Sequence, residues 1–117
     1  MMRREPGPAL EEIYDLLYRL GLAATSTAFF HLAYAVRLAA CQPQRLLNPS
    51  WLYPETARRY RTNPQTVERN VRLLGVKAWK NAPERLSKMA GVTLHIAPPP
   101  ARFLSILAES LKGGRAA

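Results

Sequence analysis

The stretch Leu52 to Trp79, LYPETARRYRTNPQTVERNVRLLGVKAW, decides the fold. Its apolar positions recur at three- and four-residue spacing, the period of a helix rather than a strand. Tyr53 to Tyr60 reads as a short helix, and Asn63 to about Trp79 reads as a second one. Asn63 is placed as an N-cap, whose side-chain oxygen accepts from an otherwise orphaned backbone N–H, and Pro64 falls in the first turn, where proline is tolerated. A short helix, a tight turn and a second helix make the layout of a helix-turn-helix. Ala57 lies ten residues before Val67, where such units need a small residue for close helix crossing. Tyr60 supplies the apolar end of the first helix. Two positions depart from the usual pattern: Arg61 stands in the turn where glycine is frequent, and Asn70 stands where an apolar residue is usual, with Val71 available in its place.

The same stretch carries the charge. Between Arg58 and Lys80 the basic residues are Arg58, Arg59, Arg61, Arg69, Arg72, Lys77 and Lys80, against one acid, Glu68. The chain of 117 residues has a net charge of +9, so most of its excess is concentrated here. On a wheel of about 100° per residue, Val67, Val71, Leu74 and Ala78 fall on one side, and Gln65, Arg69 and Arg72 fall on the opposite side. One face packs and the other presents donors. Gln and Arg match the major-groove edges of adenine and guanine, whereas a merely solvated helix more often carries Lys and Glu pairs. A basic helical hairpin is also compatible with a simple soluble surface.

Outward from this unit the chain stays helical. Leu10, Ile13, Leu17 and Leu20 recur at helical spacing, with Glu11, Glu12 and Asp15 near the start and Gly21 as a stop. Thr25, Ser26 or Thr27 caps a helix that runs to about Cys41 and is apolar around most of its circumference, which predicts a central position in the bundle. A loop with Gln42, Pro43, Asn48 and Pro49 follows. Pro83 to Ala90 and Ala101 to Leu111 complete the helices, and Val92 to Ile96 is a short β-branched stretch that can be extended but alone makes no sheet. Gly75 weakens the second helix of the hairpin and predicts an early end to it. The class is all-α, a single domain of about six helices containing a helix-turn-helix. The domain is expected over 10–112, between flexible tails at 1–9 and 113–117.

Several functions are excluded by composition. One cysteine, Cys41, makes no intramolecular disulfide, and no Cys/His spacing resembles a zinc site, so neither a metal nor a cofactor is expected. Leu22 to Cys41 is too polar to span a bilayer, and the start MMRREPGP lacks the apolar run of a signal peptide. A cytoplasmic location and no membrane partner are expected. His31 and His95 have no nucleophile pattern around them, and no phosphate loop or nucleophile elbow is present, so the chain is expected not to be an enzyme.

The run Leu52-Tyr53-Pro54-Glu55-Thr56-Ala57-Arg58-Arg59-Tyr60, continued by Thr62, Val67-Glu68-Arg69, Arg72 and Ala78-Trp79, resembles the family of C-terminal DNA-binding (effector) domains of stage zero sporulation protein A, the sporulation response regulator. The likeness extends more weakly over roughly Glu11 to Leu111. It implies a bundle of six helices, the third and fourth forming the helix-turn-helix, with the fourth entering the major groove of a regulatory box. By position, the resemblance assigns base contacts to Gln65, Thr66, Glu68, Arg69 and Arg72. Phosphate contacts are expected from Arg58, Arg59, Arg61, Lys77 and Lys80. Gln65 stands where the family has a small hydroxyl residue and Thr66 where it has an arginine, so a charged donor is missing from the front of the helix.

The expected partner is double-stranded DNA. A homodimer or tandem dimer on DNA, RNA polymerase and the full-length sporulation regulator are further candidate partners. Family members carry a phosphorylated receiver domain, for which 117 residues leave no space, so binding without that switch is expected, either by an excised domain or by a naturally short protein. A protein-interaction module that modulates the full-length regulator without reading DNA is the alternative that the Thr66 change favours.

Overall fold

The fold follows from one helix that cannot tolerate water on most of its sides. A computed structural model of the chain describes residues 8–44 and 49–116, with the side chains of Pro49 and of 112–116 outside that description. Six α-helices follow in order: α1 Leu10–Arg19, α2 Thr27–Cys41, α3 Leu52–Tyr60, α4 Pro64–Asn81, α5 Pro83–Ala90 and α6 Pro100–Ala116. A 3₁₀ turn, Pro49–Trp51, leads into α3. No strand occurs among the described residues. Phe29, His31, Leu32, Ala33, Ala35, Val36 and Ala39 of α2 are buried, and α1, α3, α4 and α6 all pack against it. α5 closes the side between α4 and α6. Against α1, the rings of Tyr14 and Tyr18 lie 5.6 and 5.5 Å from Phe29, within the range of favourable aromatic pairs. The all-α class and the central α2 agree with the sequence.

Helix ends are set by local chemistry. The N–H of Leu22 donates to the Leu17 carbonyl and that of Gly21 to the Tyr18 carbonyl, a Schellman closure with Gly21 at φ +81°. Asn81 Nδ2 donates to the Gly21 carbonyl at 3.0 Å and packs where a Cβ on Gly21 would sit, so this turn has room only for glycine. Asn63 Oδ1 accepts the Thr66 N–H at 2.8 Å, confirming the cap, and Pro64 is the first helical residue. Ser26 occupies the N-cap of α2 in extended conformation but makes no capping bond through its side chain.

Some details differ from the sequence reading. Gly75 does not end α4, which continues to Asn81. Its missing side chain is filled by the Phe103 ring, since a Cβ there would meet Phe103 Cδ2 at 3.2 Å, and burial of that ring offsets the ~1 kcal/mol propensity cost of glycine. Val92 to Ile96 makes no sheet, as expected of a lone β-branched stretch, and forms an irregular turn after Gly91, held by the Leu94 N–H donating to Ser87 Oγ at 2.9 Å, with no strand among the described residues to pair with it. Cys41, the last residue of α2, is exposed. Asn48 and the greater part of the tails expected at 1–9 and 113–117 lie outside the described residues or side chains.

One buried group in α3 is unsatisfied. Thr56 is fully buried and its Oγ1 has no hydrogen-bond partner among the described residues. A buried hydroxyl without a partner costs about 1–3 kcal/mol of desolvation. Thr56→Val keeps the shape and removes that cost, so it is expected to raise stability by about 1 kcal/mol, read as a higher denaturation midpoint with an unchanged slope; a loss of stability would show that the hydroxyl has a partner.

Candidate nucleic-acid interface

α3 and α4 pack directly on one another and on α2, which fixes how α4 is rotated. Val67, Val71, Gly75 and Ala78 are its buried side. The opposite side carries Gln65, Arg69 and Arg72, all exposed, as the wheel predicts. Thr66 is half-buried at the first turn, its N–H already taken by Asn63. Glu68 is half-buried and pairs with Arg72 across one turn, at 3.6 Å. It lies beyond the first turn of α4, so its contact is with Arg72 and not with the helix N-terminus. Arg69 makes no ion pair among the described residues.

The cations of α3 and the turn are held in three different ways. Arg58 pairs with Glu55 at 3.0 Å, both groups exposed, a contact worth at most about 1 kcal/mol in water and readily exchanged for another anion. The Arg59 guanidinium lies over two rings, 5.4 Å from the centre of Tyr60 and 5.9 Å from that of Tyr34. Arg61 adopts φ 57° and ψ 49°, the left-handed region, where the Ala57 carbonyl accepts from Thr62 N–H at 3.0 Å. For an L-residue that backbone costs about 1–2 kcal/mol, the reason glycine is frequent at this turn. Lys77 and Lys80 are exposed on the C-terminal half of α4. All ten residues expected at the interface thus lie on α3, the turn and α4, and only Thr66 and Glu68 among them are partly covered.

Tyr53, Asn70, His31, Tyr34 and Tyr60 lie at or directly beneath this surface and were not among the expected residues. Tyr53, at the start of α3, lies within electrostatic range of both Glu68 and Arg72; burial raises its hydroxyl above the usual range, Glu68 adds to that, and Arg72 partly opposes it. It therefore remains a neutral donor at any working pH. Asn70 Nδ2 lies 3.0 Å from His31 Nδ1, across the α2–α4 contact. With the amide so assigned, Nδ1 accepts and the imidazole carries its proton on Nε2. This explains why a polar residue stands at 70: its partner is a buried histidine rather than an apolar pocket. The His31 ring in turn packs 5.0 Å from Tyr60, and Tyr34 meets the same ring edge-on at 5.9 Å. His31 and Tyr34, three residues apart on α2, were a visible helical pair, but nothing local said which helix they would face.

Residues 13–111 match the family described as Sporulation initiation factor Spo0A C terminal. The chain belongs to that family. Spo0A C-terminal domains are DNA-binding effector domains of a transcription and sporulation regulator, not an enzyme family. Double-stranded DNA is accordingly the partner that the Spo0A C-terminal fold brings with it. No individual curated sequence matches the chain. Among the described residues no helix is long and apolar enough to cross a membrane, and no cluster of three potential metal ligands occurs.

Burial lowers the pKa of His31 below its ordinary 6.5. As pH falls below about 6.5 the unfolded chain takes up this proton first, so the contribution of His31 to stability is full above that pH and declines as pH drops toward the folded-state value. His31→Gln keeps an acceptor for Asn70 and cannot titrate. Its melting temperature is expected to fall less between pH 7.5 and 5.5 than that of the unsubstituted chain; equal slopes would mean that His31 is not protonated differently in the two states.

Proposed function

We propose that this chain is a sequence-reading, double-stranded DNA-binding transcriptional regulator that inserts α4 into the major groove. The observation that carries the reading is the exposed Gln65, Arg69 and Arg72 face of α4, set opposite its buried valines in a member of a DNA-binding family. Arg69 and Arg72 have the forked donors for guanine O6 and N7, and Gln65 has the donor and acceptor pair for adenine. Glu68 orients Arg72 or accepts from a cytosine amino group. Thr66 offers one hydroxyl and a methyl where a family arginine would reach further, so the box read by this chain differs at the base facing Thr66.

Arg58, Arg59, Arg61, Lys77 and Lys80 neutralise phosphates, displacing condensed counterions and making affinity fall with salt. The ring-held guanidinium of Arg59 loses less side-chain entropy on meeting a phosphate than a free arginine does. The domain acts as the unit spanning 10–112. The competing reading, a module that modulates the full-length regulator without reading DNA, has the shortened Thr66 in its favour.

Fluorescence anisotropy with duplexes carrying the family regulator's box and a scrambled control, at two or more salt concentrations, tests the proposal. Box-selective binding near physiological salt supports it. Equal, salt-labile binding to both duplexes, with capture of the full-length regulator in the absence of DNA, supports the competing module.

Two substitutions separate the roles. Arg69→Ala is expected to cost about 1–3 kcal/mol on the preferred duplex and much less on a scrambled one. Equal losses would remove Arg69 from base reading. Arg61→Gly is expected to act in opposite directions, raising stability by about 1 kcal/mol as the left-handed strain is relieved while lowering affinity for every sequence and reducing the salt slope by about one. An unchanged salt slope would remove Arg61 from the phosphate contacts.

A further inference from the structure

A leucine stands in the middle of the cationic face of α4. Leu73 is 57% exposed, whereas its neighbour Leu74 turns toward the core. Thr66, Arg69, Leu73, Lys77 and Lys80 follow one another at spacings of three, four, four and three, and therefore form a single stripe along the helix. The other large apolar side chains exposed among the described residues lie elsewhere: Val92 and Ile96 in the turn after α5, and Tyr18 stacked on Phe29. Leu73 is thus the exposed apolar group of the stripe, with an arginine one turn before it and a lysine one turn after it.

We infer that Leu73 is a further specificity-determining residue, making an apolar contact with the 5-methyl group of a thymine in the major groove. The inference rests on the DNA reading proposed above. An isobutyl group has no donor or acceptor and cannot read the polar edges of adenine, guanine or cytosine, whereas thymine presents a methyl group in that groove. Its position narrows the site. Four residues at 1.5 Å rise put Leu73 about 6 Å along the axis from Arg69, so the thymine lies within about two base-pair steps of the base that Arg69 reads. In free protein the side chain is wetted, and closure of the stripe against a duplex removes it from water together with the thymine methyl, a gain proportional to the apolar area buried.

The test begins with selection of preferred sequences from a randomised duplex library by the whole chain. Each thymine of the selected duplex is then replaced by deoxyuridine, which deletes the methyl alone. One replacement, within about two base pairs of the position whose selectivity Arg69→Ala relaxes, is expected to weaken binding by the chain about fourfold. The same replacement is expected to have no effect on Leu73→Ala, and Leu73→Met is expected to restore sensitivity to it. Leu73 is exposed, so both variants should melt within a few degrees of the parent, which circular dichroism checks. The inference is overturned if every deoxyuridine replacement affects the chain and Leu73→Ala alike, or if Leu73→Ala keeps full affinity and selectivity. A library that yields no enriched sequence overturns the DNA reading itself, and this contact with it.

Discussion

Burial of α2 is the constraint on which the rest of the molecule depends. Phe29, Leu32, Ala35, Val36 and Ala39 are fully excluded from water, and they point to more than one side of the helix. Such a helix is not stable in isolation, because its apolar surface is covered only when other helices surround it. Every neighbouring helix therefore needs one apolar stripe and is left free on its other side. For α4 the stripe is Val67, Val71 and Ala78, with Gly75 admitting the Phe103 ring from α6. The side of α4 from which Arg69 and Arg72 project is a consequence of that packing, and Arg72 has in addition its ion pair with Glu68.

The large features of this arrangement were legible in sequence because they are periodic. Helical spacing revealed α1, α2, α4 and α6, and Asn63-Pro64 marked the start of α4 to the residue. The exposed positions of Gln65, Arg69 and Arg72 could be read because an amphipathic helix that buries one face must expose the other, whereas Thr66 and Glu68 were singled out only by the family resemblance. What was not legible depends on partners far along the chain. Asn70 looked like a misplaced polar residue until His31, thirty-nine positions away, was found against it. Gly75 looked like a terminator because its compensating neighbour, Phe103, belongs to another helix.

Electrostatics and packing divide the labour on the exposed side. Cations held by nothing stronger than a solvated carboxylate or an aromatic face, such as Arg58 and Arg59, leave little local binding energy to surrender when an anion arrives. Arg61 is different: its side chain is exposed, yet its backbone is in a conformation that most residues avoid. Strain of that kind concentrates where a side chain is needed at a place better suited to glycine.

The hydrogen bond from Asn81 to the Gly21 carbonyl gives the last helix turn before α5 a mechanical meaning. α4 is eighteen residues long, hence about 27 Å; Asn63 caps its start, and asparagines near its middle and at its end tie it to the rest of the molecule. Tilting or sliding this rod requires at least two of those fastenings to open together, one to the bundle through α2 and one to the end of α1. A helix so pinned is already shaped before any partner meets it. On the proposed DNA reading, adaptation to a different sequence comes through the rotamers of its side chains and through deformation of the duplex, with the helix axis as the fixed reference for both.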